Sequence, residues 1–148
     1  MTATGHAVIG AAIVTKIPDL RLALPLALAS HFFFDAFPHW DTGTNWREKG
    51  LRKVFFDTLI DLGLGYALVF LVFILYLHAD FKTLILGVTI SQLPDFLEVP
   101  YFFLHWEFFP WHRIYHFIHF FHKKIPVFNF TFAWQVVLSG AFILWAII

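Results

Sequence analysis

The sequence predicts an all-α membrane bundle. Four to five transmembrane helices form one integral domain over residues 1–148, with a His-rich amphipathic helix on the cytoplasmic side. Three observations predict it. The chain is 59% hydrophobic and 14% charged, where soluble domains run at about 45–50% and about 25%. Its mean hydropathy is +0.73. Its ionisable residues gather between long apolar runs and at their ends. Net charge is zero, so no global field favours nucleic acid, and no nucleic-acid partner is expected. The absence of cysteine excludes a disulfide framework and a thiolate metal site. A metal would have to be held by His, Asp, Glu or water.

A bilayer span needs roughly 20 apolar residues, with a range of about 17–25. Residues 4–15 make only about three turns, which fits a short span, a half-span or an interfacial helix. They lack the charged start and small-residue cleavage site of a cleavable signal. Residues 20–37 are shorter than a typical span and carry His31 and Asp35 near their end. Residues 54–77 are long enough, with Asp57 and Asp61 near the start, and so are residues 83–104, with Asp95 and Glu98 in the second half. Residues 127–148 carry no charge. Pro18, Pro38, Pro110 and Pro126 mark helix edges. Pro94 and Pro100 predict a kink or break, which in a membrane helix must line a protein-covered cavity. No linker divides the chain.

Lys and Arg set the orientation. If all five runs cross, the second and fourth loops share one side and hold Arg47, Lys49, Arg52, Lys53, Arg113, Lys123 and Lys124. Lys16, Arg21 and Lys82 fall on the other. The positive-inside rule places the first set in the cytoplasm. With this topology nearly every intramembrane ionisable group reaches the cytoplasmic end.

Such residues cost about 2.5–3.5 kcal/mol each on insertion scales and mark functional sites by default. Carboxylates in spans need a counter-charge, and a divalent cation is the economical one. His31 and Asp35, and likewise Asp57 and Asp61, are four apart and share a helix face. His112, His116 and His119 stand at i, i+4 and i+7. The expected metal ligands are therefore drawn from His6, His31, Asp35, His39, Asp41, Asp57, Asp61, Asp95, His112, His116 and His119. His and carboxylate ligands suit zinc first, with manganese or iron as alternatives. The bland readings are as concrete. His78, His105 and His122 fit headgroup-level amphipathic positions. Residues 112–124 fit an interfacial helix with Arg113, Lys123 and Lys124 against lipid phosphates. Trp40, Trp46, Trp106 and Trp111 fit an interfacial aromatic belt.

Short motifs also lie in these segments: Gly5-His6, Ser30-His31 through Asp35 with Pro38, Leu93-Pro94-Asp95, and His112-Arg113 with His116. With them the chain resembles the YdjM-type predicted inner-membrane, metal-dependent hydrolases. The motif order is permuted: the Ser-His-x-x-x-Asp element comes early here, and His-Arg stands without that family's Gly and His-Ser pair. Pro38-His39-Trp40-Asp41 extends the early motif with two more ligand candidates. Zinc-dependent phospholipase C is distantly similar to that family and binds a metal cluster through His-x-x-x-Asp-type pairs. The resemblance implies a prokaryotic inner membrane and a phosphoester or lipid-linked substrate.

The expectation is a metal-dependent hydrolase at the cytoplasmic face. Metal-activated water would be the nucleophile, Glu98 the general base, and Arg113 or Lys53 the phosphate contact. Membrane lipid and a phosphorylated or lipid-linked small molecule are the expected partners. Two other classes compete. One is a di-iron membrane oxidase of desaturase type, for which His112-x-x-x-His116 and His119-x-x-His122 are loose His boxes. The other is a metal or proton transporter, or a His-based pH sensor.

Overall fold

The computed structural model describes residues 1–122, 125 and 128–148. Lys123, Lys124, Pro126 and Val127, which entered the topology reading and the edge of the last run, lie outside the described residues. Among the described residues the chain is all-helical, with no strand.

The first helix, α1 (Ala3–Lys16), forms the axis of the bundle. The Thr2 hydroxyl caps it by accepting from the Gly5 N–H, and Lys16 sits in its last turn, where a cation complements the helix dipole. Every residue from Gly5 to Val14 is buried. The run that the sequence left open between span, half-span and interfacial helix is therefore an interior helix. Around it pack α2 (Leu20–Asp35), α4 (Leu51–Val69, continued by a π-helical stretch Phe70–Tyr76), α5 (Phe81–Leu104) and α7 (Phe128–Ile147). Small residues bring α1 and α5 together. A Cβ on Gly10 would lie 2.8 Å from the Gly87 carbonyl oxygen and collide with the Ser91 side chain, and one on Gly87 would meet Val14. Gly65 of α4 is pressed as closely against Thr4. This is the packing of helices that approach through small residues rather than through large ones.

On α2, Ala23, Ala27, His31 and Asp35 recur every fourth residue and are buried, while Leu22, Leu26 and Phe33 point outward and are exposed. Small and polar groups inside with large apolar groups outside reverse the pattern of a helix in water. Exposed Phe55, Ile60, Leu64 and Leu71 on α4, and Phe130, Val137 and Leu144 on α7, continue this apolar exterior. A short helix, α3 (Trp46–Lys49), precedes α4, and α6 (Trp111–Phe121) follows α5.

Of the kink or break expected in the fourth run, the break does not occur. Helix α5 runs through both Pro94 and Pro100, packed against α2 and α6. Each proline removes a single N–H, and packed neighbours let a helix carry that loss. Among the described residues, two helices are long and apolar enough to cross a membrane, Leu51–Tyr76 and Asn129–Ile147. Helices α1 and α2, at 14 and 16 residues, fall below the usual span length of about 17–25, and α5 carries Lys82, Asp95 and Glu98.

Candidate metal centre

Helix α1 supplies His6, α2 supplies His31 and Asp35, the following loop His39 and Asp41, α5 Asp95 and Glu98, and the end of α6 His119 and His122. His31 and Asp35 face inward because they continue the buried small-residue stripe of α2. Asp95 faces α2 because α5 packs against it.

Asp35 is the hub, buried with 1% of its side chain exposed. Its Oδ1 is surrounded by donors: it pairs with the amino group of Met1 and lies 3.1 Å from His6 Nε2. Its Oδ2 is placed differently. It lies 3.2 Å from His31 Nε2 and 2.5 Å from His122 Nε2, yet neither nitrogen is aligned to donate a hydrogen bond to it, and all three atoms are buried without a hydrogen-bond partner. His31 explains why. Its Nδ1 lies 2.8 Å from the Ser91 carbonyl. A carbonyl only accepts, so Nδ1 carries the proton and the neutral ring turns a lone pair on Nε2 toward Asp35. Asp95 Oδ1 stands 3.6 Å from the same Nε2.

Four ligand atoms from His31, Asp35, Asp95 and His122 thus lie within 4.8 Å of one another. Donors held about 2.0–2.2 Å from one ion at tetrahedral angles are themselves about 3.3–3.6 Å apart; the His31 distances of 3.2 and 3.6 Å match that spacing, whereas Asp35 Oδ2 and His122 Nε2, 2.5 Å apart, stand closer and would have to part for an ion to enter. A carboxylate oxygen facing lone pairs in the interior is a costly arrangement without a cation. The residues present fit a divalent ion. Hydrogen-bonding the far ring nitrogen to a carbonyl is also how proteins orient a metal-binding imidazole. His39 repeats the device: Nδ1 donates to the Phe37 carbonyl at 2.9 Å, while buried, unpartnered Nε2 lies 3.8 Å from Asp35 Oδ1 and 3.7 Å from Asp41 Oδ2. Asp41 Oδ1 accepts from the Thr44 hydroxyl at 3.0 Å. His6 stacks on His31 with ring centroids 3.9 Å apart and orients both that ring and Asp35.

Other expected ligands lie elsewhere. Asp61 accepts from the Ala3 N–H at 2.7 Å, the Thr4 N–H at 3.2 Å and the Thr4 hydroxyl at 2.7 Å, and so closes the N-terminus of α1. Asp57 pairs with Lys53 at 2.8 Å on an exposed face. His112 and His116 pack edge-on against the Tyr101 ring. His119 alone of that histidine face reaches a carboxylate, with Nδ1 3.1 Å from Glu98 Oε1. Arg113 lines an apolar groove formed with Leu28, Phe32, Leu93, Pro94 and Leu97. His122, read from the sequence as a headgroup-level residue, is the addition that the structure makes to the cluster. The one signal for it was its i, i+3 spacing from His119.

A cavity of about 130 Å³ opens beside the cluster. Asp41, Asp61, Asp95 and Glu98 line it together with Val54, Leu62, Phe96, Val99, Phe102 and Phe103. No family model, curated protein or solved structure matches this chain.

Proposed function

We propose that the chain is a polytopic inner-membrane metalloprotein that hydrolyses a phosphoester of a lipid-linked or otherwise amphiphilic substrate at the cytoplasmic face. Helices α1, α2, α4, α5 and α7 make up the membrane-embedded bundle, and the loops after α2 and α5 face the cytoplasm. The observation that carries the reading is the convergence of unpartnered, buried His31 Nε2, His122 Nε2 and Asp35 Oδ2 next to a cavity lined by both carboxylates and apolar side chains.

His31, Asp35 and His122 provide two imidazoles and a carboxylate, a donor set that suits zinc before manganese or iron. A divalent ion held by these residues would supply Lewis acidity and would lower the pKa of a bound water toward about 7. Asp95 is 38% exposed and also lines the cavity. Its carboxylate is placed to take the proton of an attacking water, or to act as the fourth donor while substrate is absent. The apolar side chains of the lining take the hydrophobic part of the substrate and exclude water from the reacting end. With four carboxylates in the lining, an anionic phosphoester enters against repulsion, so its binding depends on prior cation loading.

Elemental analysis of detergent-purified protein tests this, beside H31A and D35A and followed by a screen of soluble and lipid phosphoesters. Near-stoichiometric zinc or manganese, lost in both variants, with phosphoester turnover by the wild type alone, is the expected result. Stoichiometric iron with oxygen-dependent activity would replace hydrolase by oxidase. A folded wild type without bound metal would overturn the proposal.

A further inference from the structure

A second set of donor atoms stands beside the first. Glu98 Oε1 lies 3.1 Å from His119 Nδ1 and 3.9 Å from His122 Nδ1, and one ligand atom from each of these residues falls within 4.8 Å of the others. Acidic clusters of this kind are common without an ion. His122 is what sets this one apart. Its side chain is 4% exposed, and both of its ring nitrogens are buried with no hydrogen-bond partner. Nε2 faces Asp35 Oδ2, and Nδ1 faces Glu98 Oε1. A neutral imidazole has one N–H and one lone pair, so either tautomer leaves an N–H unbonded beside a carboxylate. A doubly protonated ring would leave two. A hydrogen bond between Glu98 and His119 satisfies those two side chains and leaves His122 Nδ1 unexplained.

We infer that Glu98, His119 and His122 Nδ1 form a second divalent-cation site, joined to the first by the His122 ring, which binds one ion through each nitrogen. The inference rests on the metal centre proposed above. Each nitrogen then has a partner. The ring N–H proton passes to solvent as the second ion binds, and no oxidation state changes. His119 is already oriented for the task. Its Nε2 lies 3.3 Å from the Tyr115 hydroxyl, and the two rings stack with centroids 4.2 Å apart, which leaves Nδ1 for the ion. Two imidazoles and one carboxylate suit zinc or copper(II).

The bridge has a consequence for chemistry. The nitrogens of one ring point apart, so the two ions stand farther from each other than the roughly 3.5–4 Å of two-metal sites that clamp one phosphoryl group. The second ion therefore does not share the attacking water. It neutralises Glu98 at the cavity wall, which lowers the repulsion met by an anionic substrate, and it ties the end of α6 to α5.

Titration of metal-free, detergent-purified protein with zinc, read as bound ions per chain, tests the inference. Two ions are expected in wild type and one in both E98Q and H119A, each checked for a folded, monodisperse state. A wild type that binds one ion, unchanged in E98Q, would sink the second site and leave the first standing. A wild type that binds none would sink both. Two ions retained in E98Q would place the second ion elsewhere and overturn the assignment. Copper(II) loading gives a readout that needs no variant. Two copper ions on one imidazolate couple magnetically, so the resonance signal of the doubly loaded protein should fall well below that of two isolated ions. A signal of full intensity would rule out the bridge.

Discussion

Asp61 and Asp35 are carboxylates of similar sequence setting with opposite employment. Each stands four residues after a polar partner on an apolar helix. Asp35 Oδ2 faces unpartnered imidazole nitrogens, whereas both Asp61 oxygens accept from the first turn of α1. D61A should therefore lower stability by about 1–3 kcal/mol, the range for leaving part-buried donors unmade, and leave zinc content at the wild-type level. Thermal unfolding in detergent beside elemental analysis reads both quantities, and a loss of zinc without a loss of stability would move Asp61 into the metal centre. The contrast also marks what the sequence could tell. The i, i+4 spacing of His31 with Asp35 and of Asp57 with Asp61 showed that each pair shares a helix face, and it does. It carried no information on what that face meets: α5 and α6 in one case, Lys53 and the start of α1 in the other. His122 was hidden for a related reason. It follows the last helical residue of α6, where periodicity no longer says which way a side chain points.

Helix α1 joins these residues into a site. It packs tightly on α5 at Gly10 and Gly87, and one turn from there the Ser91 hydroxyl donates to the His6 carbonyl at 2.9 Å while the Ser91 carbonyl accepts from His31 Nδ1 at 2.8 Å. Spacing between α1 and α5 thus sets the ring that offers Nε2 to the cluster. A methyl group at Gly10 has no room, because it would meet Ser91 and the Gly87 carbonyl. G10A is expected to cost about 1–3 kcal/mol, as overpacking does, and to weaken metal retention as well. G63A is the control: a Cβ there meets nothing within 4 Å, and replacing glycine inside a helix gains about 0.5–1 kcal/mol. Comparing unfolding midpoints and bound zinc in the two variants checks this. Equal behaviour would mean that the α1–α5 contact does not govern the site. In the sequence, Gly10 and the alanines around it read only as apolar and small, which suited a span, a half-span or an interfacial helix alike. Interior position emerges only when four other helices wrap the same segment.

For the whole molecule, the all-helical class was legible because long apolar runs separated by polar loops leave little else to form. The number of crossings was less so, because α1 and α2 are short and α5 carries charges, and length alone does not decide whether a helix spans when its neighbours do. The inside-out pattern of α2 supports the proposal that it is embedded in the membrane: its large apolar side chains face outward and its His and Asp face the bundle. A chain without cysteine allows a direct test, since each introduced thiol reports one position. P18C, E48C, F81C and I148C occupy exposed sites in the loop before α2, in α3, at the start of α5 and after α7. Five crossings with a cytoplasmic metal centre predict that a membrane-impermeant maleimide labels P18C, F81C and I148C from the outer face only. E48C should label from the cytoplasmic face only. Labelling of E48C and F81C from the same side would mean that Leu51–Tyr76, the longest apolar helix, does not cross. Labelling of P18C and E48C together would make α2 a buried or re-entrant helix while leaving α4 in place. The same vesicles locate the metal centre. Asp35 ends α2 and His39 lies between α2 and α3, so an impermeant chelator should strip bound zinc from the side on which E48C is labelled and leave it intact from the other.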